Sequence, residues 1–202
     1  MKKLHVNNIR LFVCFILIIL TSCTSEFVPD PIDPRLPKYT EKGNNAAGAY
    51  IGDEIWKSEV YISFPSYGNS NRPYIKAWQE QDSLMIVFSG STKGTQAFVE
   101  FHLKGLNISK FDDLIDLNGQ KISLDENQNA GYYIENYAPI IYDNKGIGQI
   151  YFRNVRFNND KSAIIISGTF GFSLSEYDQW PLKVSSGRFD YKIFKTDFYQ
   201  DV

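Results

Sequence analysis

Two histidines and two cysteines are the whole stock of imidazole and thiol in this 202-residue chain. His102 stands in Glu100-Phe101-His102, and a Ser-His-Asp relay in the body of the chain would have to use it. No Gly-x-Ser-x-Gly accompanies it, and no partner ligand lies at zinc spacing. "SGSTKGT" (Ser89–Thr95) has the composition of a phosphate-gripping loop but lacks the Gly-x4-Gly-Lys spacing. Strand-like runs flank it, so it reads as a hairpin loop. "DENQNAG" (Asp125–Gly131) puts Asp125, Asn127 and Asn129 at alternate positions, as a calcium loop would. Its glycine comes one residue late, and the closing acid would fall on Asn136. No metal and no cofactor is therefore expected. Glu80, Asp82, Asp112, Asp113 and Asp116 are scattered and could form a hydrolytic pair only if folding brought two together. Aromatic rings, by contrast, are plentiful, at 15% of residues. Trp56, Trp78 and Trp180, with the tyrosines of "YYIENYAPIIY", could supply the platform on which a sugar ring stacks, with Asn and Asp at its rim. The competing reading gives those rings to the core.

The amino end says where such a domain would work. Lys2, Lys3 and Arg10 precede the apolar run Leu11–Leu20. Ten helical residues rise about 15 Å, half of a ~30 Å hydrocarbon core, which fits a secretory signal rather than a membrane span. Leu20-Thr21-Ser22-Cys23 closes it and resembles the lipobox of bacterial lipoproteins. That resemblance implies a diacylglyceryl group on the Cys23 sulfur, cleavage before it and acylation of the new amino end. Several acyl chains at about 0.8 kcal/mol per buried methylene make a stable anchor. Removing the 22 residues before Cys23 leaves 180 of the 202 and no free thiol, hence no disulfide and no cysteine nucleophile. It also takes the formal charge from −2 to −5, with 18 basic against 23 acidic residues, which argues against nucleic acid as a partner.

Prolines 29, 31, 34 and 37 mark residues 23–45 as an extended, semi-rigid spacer, and one all-β domain is expected over 46–202. "LMIVF" (Leu84–Phe88) is apolar on both faces and reads as a central strand. "AFVEFHL" (Ala97–Leu103) alternates, with Val99, Phe101 and Leu103 on one face and Glu100 and His102 on the other. "IGQIYFRNVRF" and "SAIIISGTFGF" flank the turn-forming residues 158–161 as a hairpin. Only "SKFDDLID" (Ser109–Asp116) reads as helix, with Ser109 as N-cap. "SGTFGF" (Ser167–Phe172) and "SGRFDY" (Ser186–Tyr191) echo each other. Each places Gly, Phe and an aromatic on one strand face, where the pair solves one packing problem twice or lines a ligand site. No helix alternates with the strands, so the expected fold is an antiparallel β-sandwich, with a closed, calycin-like β-barrel as the alternative.

"LPKYTEKGNNAAGAYIGDEIW" (Leu36–Trp56) resembles the opening of small Bacteroidetes-type lipoproteins of unknown function, and "ISGTFGFSL…SSGRFDYKI" is similar to their final strand pair. The resemblance covers both ends of the domain and implies location and architecture without an activity. Exported surface lipoproteins of that kind carry an acidic run after the cysteine. Thr24-Ser25-Glu26-Phe27 lacks one, which points to the periplasmic face of the outer membrane. Asp82-Ser83-Leu84 matches the short pattern such bacteria O-glycosylate, making Ser83 a candidate acceptor. The functional expectation is a non-catalytic binding or assembly module, tethered through Cys23 and recognising a glycan or a protein. A carbohydrate-active hydrolase with paired carboxylates is the alternative.

Overall fold

The computed structural model describes residues 33–59, 72–125, 127–135, 145–175 and 181–201. Within them eleven strands follow one another: β1 (Ala46–Ile51), β2 (Glu54–Ser58), β3 (Tyr74–Trp78), β4 (Ser83–Thr92), β5 (Thr95–Lys104), β6 (Lys121–Leu124), β7 (Ala130–Glu135), β8 (Gly146–Phe157), β9 (Ala163–Leu174), β10 (Leu182–Phe194) and β11 (Phe198–Asp201). Eight close on themselves in the order β4-β2-β1-β10-β9-β8-β7-β5 and back to β4, every step antiparallel. The closed barrel is therefore the architecture, and the sandwich is not. Strand β4 decides between them. It pairs with β5 from Ser83↔Lys104 to Thr92↔Thr95, while its other edge serves β3 first and then β2. Sheet closure removes the free edges a sandwich would have kept. β11 adds to β3 in parallel, and β6 pairs with β8, both outside the ring.

Alternation along the strands fills the barrel with rings. Leu84, Ile86 and Phe88 of β4 and Val99, Phe101 and Leu103 of β5 point inward and are fully buried. The centroid of Phe88 lies 5.2 Å from those of both Phe189 and Tyr191, and 5.9 Å from that of Phe101. Such offset and edge contacts each add about 0.5–1.5 kcal/mol beyond area burial. The interior is thus a solid core. Burial holds the Tyr191 phenol well above its usual range, so it stays neutral there.

The two echoed hexapeptides lie side by side on β9 and β10, and each supplies the gap its partner fills. Phe189 pairs with Gly168, and Phe170 pairs with Gly187. A Cβ on Gly168 would sit 2.6 Å from the Phe189 ring, and one on Gly187 2.4 Å from the Phe170 ring. The echo is a reciprocal packing device, and the expected β8–β9 hairpin is present along its full length.

Residues 111–117 form a 3₁₀ helix, one of three short ones among the described residues. Lys110, not Ser109, occupies the cap position. The Asp113 carboxylate accepts from the Ser109 amide and hydroxyl and from the Lys110 amide, each at 3.0 Å. Burial pushes the Asp113 carboxyl up, and these hydrogen bonds outweigh it, leaving a net lowering.

The second half of the expected spacer belongs to the domain. Leu36 is buried, and Pro37 packs on Gly48 of β1. The Asp33 carboxylate bonds Arg35 and Tyr50, and the Arg35 guanidinium holds it well below the usual carboxylate range. Residues 33–45 are a strap lying on the barrel.

Candidate functional site

The strap is fastened at one carboxylate. Asp190 of β10 is 3% exposed. Its Oδ1 accepts from the Gly43 amide at 2.7 Å and the Ser167 hydroxyl at 3.0 Å. Its Oδ2 accepts from the amides of Lys42 and Asn44 at 3.2 and 3.1 Å and from the Thr40 hydroxyl. Two residues along, the Lys192 amide donates to Asn45 Oδ1 at 2.9 Å. Thr40, Gly43 and Asn45 of the opening motif are therefore clamps. Gly43 stands at φ +75°, and even a Cβ there would come within 2.9 Å of the Lys192 Cβ. Asp190→Ala would strand a ring of amides and a buried serine hydroxyl. It is expected to cost about 3 kcal/mol in urea unfolding, and to expose the amides of residues 42–44 to hydrogen exchange before the barrel opens. Sequence reasoning missed Asp190; its only signal was its position inside the second echo.

Other acids are similarly occupied in holding turns. Asp125 Oδ1 accepts from the amides of Asn127, Gln128 and Asn129, so the calcium-like loop is closed by its own backbone. Asp160 takes the Ser162 amide and hydroxyl. Asp82 Oδ1 accepts the Asn107 amide at 2.7 Å. "SGSTKGT" is the β4–β5 hairpin, turning at Lys93 and Gly94 with φ of +51° and +79°. No cluster of three His, Cys, Asp or Glu capable of holding a metal occurs among the described residues.

The tryptophans separate across the barrel wall. Trp56 points inward, is fully buried, and donates its indole N–H to the Ala97 carbonyl at 3.0 Å. It is core, as the competing reading of the rings had it. Gly90 makes room for the ring, since a Cβ there would lie 2.6 Å from it. Trp78 points outward on β3. Trp180, like Cys23, Tyr137 and Tyr142, lies outside the described residues.

Around Trp78 the outer face carries further rings and charges. Lys76 Nζ sits 4.7 Å from the Trp78 ring centroid and bonds Asp201 at 2.5 Å. That hydrogen bond to Asp201 raises the Lys76 pKa. Tyr74 and Tyr199 stack with centroids 4.6 Å apart, and Tyr199 is 42% exposed. Ser83 lies directly across from Trp78 on β4 and from Lys104 on β5. Further along, Met85 faces both Lys76 and His102, and His102 bonds the buried Glu100 carboxylate and packs on Tyr132 at 4.9 Å. On β3 and β11 this face therefore carries Trp78 and the Tyr74–Tyr199 pair around Lys76 and Asp201, while Val87, Glu100 and Tyr132 beyond them on β4, β5 and β7 are buried.

Comparison with protein-family models, with curated proteins and with solved structures finds no match. No helix among the described residues is long and apolar enough to cross a membrane.

Proposed function

We propose that this chain is a lipoprotein, held by acyl chains on Cys23 at the periplasmic face of an outer membrane, and that it acts there as a non-catalytic binding module. Its recognition surface is the outer strip centred on Trp78 and the Tyr74–Tyr199 stack, and its ligand is a glycan. The observation that carries this reading is the division of rings across the wall. The interior is filled by its own aromatics, whereas the outer strip presents stacked rings beside a lysine and a carboxylate. A sugar needs that combination of a flat apolar face and polar groups at its edge. The Lys76 ammonium over Trp78 fixes the indole and reduces the ordering cost of binding.

A glycan-array and pull-down screen of the full chain tests it, with Trp78→Ala alongside. The variant is expected to lose at least about tenfold in affinity, the loss of roughly 1.4 kcal/mol of stacking. Wild-type chain that retains no carbohydrate, or a Trp78→Ala chain that binds as well, would remove the glycan reading. The anchor has its own measurement. Cys23→Ala is expected to move the protein from the membrane to the soluble fraction, and mass spectrometry should find lipid on Cys23 of the native protein.

A further inference from the structure

We propose a second site, an oxyanion-binding cleft that takes a phosphate carried on a larger organic group. The cleft, about 430 Å³, is lined by Lys42, Arg156, Lys192, Ile165, Asn159 and Asp160. Its three cations come from three separate elements: Lys42 from the strap, Arg156 from β8 and Lys192 from β10. Register places two of them tightly. Ile165 of β9 lies directly across from Arg156 on one side and from Lys192 on the other. Two positive side chains therefore flank one buried isoleucine, with their strands about 10 Å apart at ~4.8 Å per strand step. Lys42 is brought to them by the strap, whose amides are fixed to Asp190.

Among the described residues this group is only partly neutralised. Among the described residues none of the three cations is within ion-pair distance of a carboxylate. Glu41 is the nearby acid that could have served. Its carboxylate is taken instead by the Tyr39 hydroxyl at 2.9 Å and the Asn154 amide at 3.0 Å, with Arg153 at 3.5 Å. Only its backbone carbonyl accepts from Arg156, at 3.1 Å. Asp160, the one acid in the lining, is hydrogen-bonded to Ser162, which chiefly lowers its pKa, and it feels Lys192 only as a smaller electrostatic effect. The lining thus carries three positive charges against one negative, on a chain whose formal charge is −2. Like charges fixed on a rigid wall repel each other, and an oxyanion relieves that repulsion as it binds. The space exceeds what a bare phosphate needs and falls in the range of small-molecule sites, about 300–1,000 Å³. Ile165 offers an apolar floor to the group that carries the phosphate.

The test uses the full chain in nonionic detergent at constant ionic strength, followed by titration calorimetry and thermal unfolding. The probes are inorganic phosphate, glucose 6-phosphate, glucose and micelles doped with phosphatidylglycerol. Phosphate and glucose 6-phosphate are expected to bind saturably and to raise the unfolding temperature, the ester more tightly, while glucose does neither. Arg156→Gln with Lys192→Gln should weaken both at least tenfold. Without ligand its unfolding temperature should change little, relief of repulsion offsetting the lost Arg156–Glu41 carbonyl hydrogen bond and the Lys192–Phe194 contact. Lys93→Gln, on a different hairpin, should bind like the wild type. A response to doped micelles as well as to the free ester assigns a lipid headgroup as the source, and a response to the ester alone assigns a soluble one. Absence of saturable phosphate binding would overturn the proposal. So would binding that survives the double variant, or that Lys93→Gln weakens equally.

Discussion

Trp56→Ala is expected to lower the unfolding free energy by about 4 kcal/mol, within the usual cost of emptying a buried aromatic site. The indole is fully buried against β1 and β4, and its N–H is bonded to the Ala97 carbonyl. Truncation leaves both a cavity and an orphaned carbonyl. Urea unfolding of the variant should show the loss directly. Trp56→Phe should recover the larger part, since it restores most of the volume and none of the hydrogen bond. A Trp56→Ala chain that kept wild-type stability would show that the ring is not in the core. The result also guards the glycan experiment, because lost binding in a Trp56 variant would report unfolding, whereas Trp78→Ala removes an outward-facing ring.

The second large effect is at Gly168. A methyl group there would lie 2.0 Å from the Tyr151 carbonyl oxygen and 2.6 Å from the Phe189 ring. Backbone blocks it on one side and a packed aromatic on the other, so neither neighbour can give cheaply. Gly168→Ala should cost about 3 kcal/mol, the upper end for overpacking, and shift the thermal midpoint down accordingly. Gly171 lies in the same "SGTFGF" and supplies the control, its nearest new contact being 3.4 Å from the Val184 carbonyl oxygen. Gly171→Ala should change stability by less than about 1 kcal/mol. Equal effects at the two glycines would contradict the interlocking of β9 and β10.

Much of this was legible along the chain, because inside and outside alternate with period two in any strand. The faces of β4 and β5 and the β8–β9 hairpin followed from that alone. The ring order did not, since alternation says which way a side chain points and nothing about which strand edges meet. The sandwich expectation failed there, at the remote β2–β4 and β1–β10 pairings that close the ring. The fate of Trp56 had a signal in the small inward residues Ala47 and Ala49, the second of which pairs with it. Trp78 had none, because its neighbours on β11 arrive from more than a hundred residues away. The strap was misjudged for a similar reason. Its prolines suggested an extended tether, while the carboxylate that captures it lies 147 positions beyond Gly43.

That distance constrains how the molecule comes into being. The first barrel strand has its partner on the last one of the ring, so no amino-terminal portion can shut ahead of the rest. Loop closure over such a span is slow, on the millisecond-to-second scale of topologies dominated by remote pairing. A polypeptide drawn through a secretion pore amino end first would therefore remain threadable until nearly all of it had crossed. Were this chain exported in that way, late closure would lengthen the time for which it can be threaded.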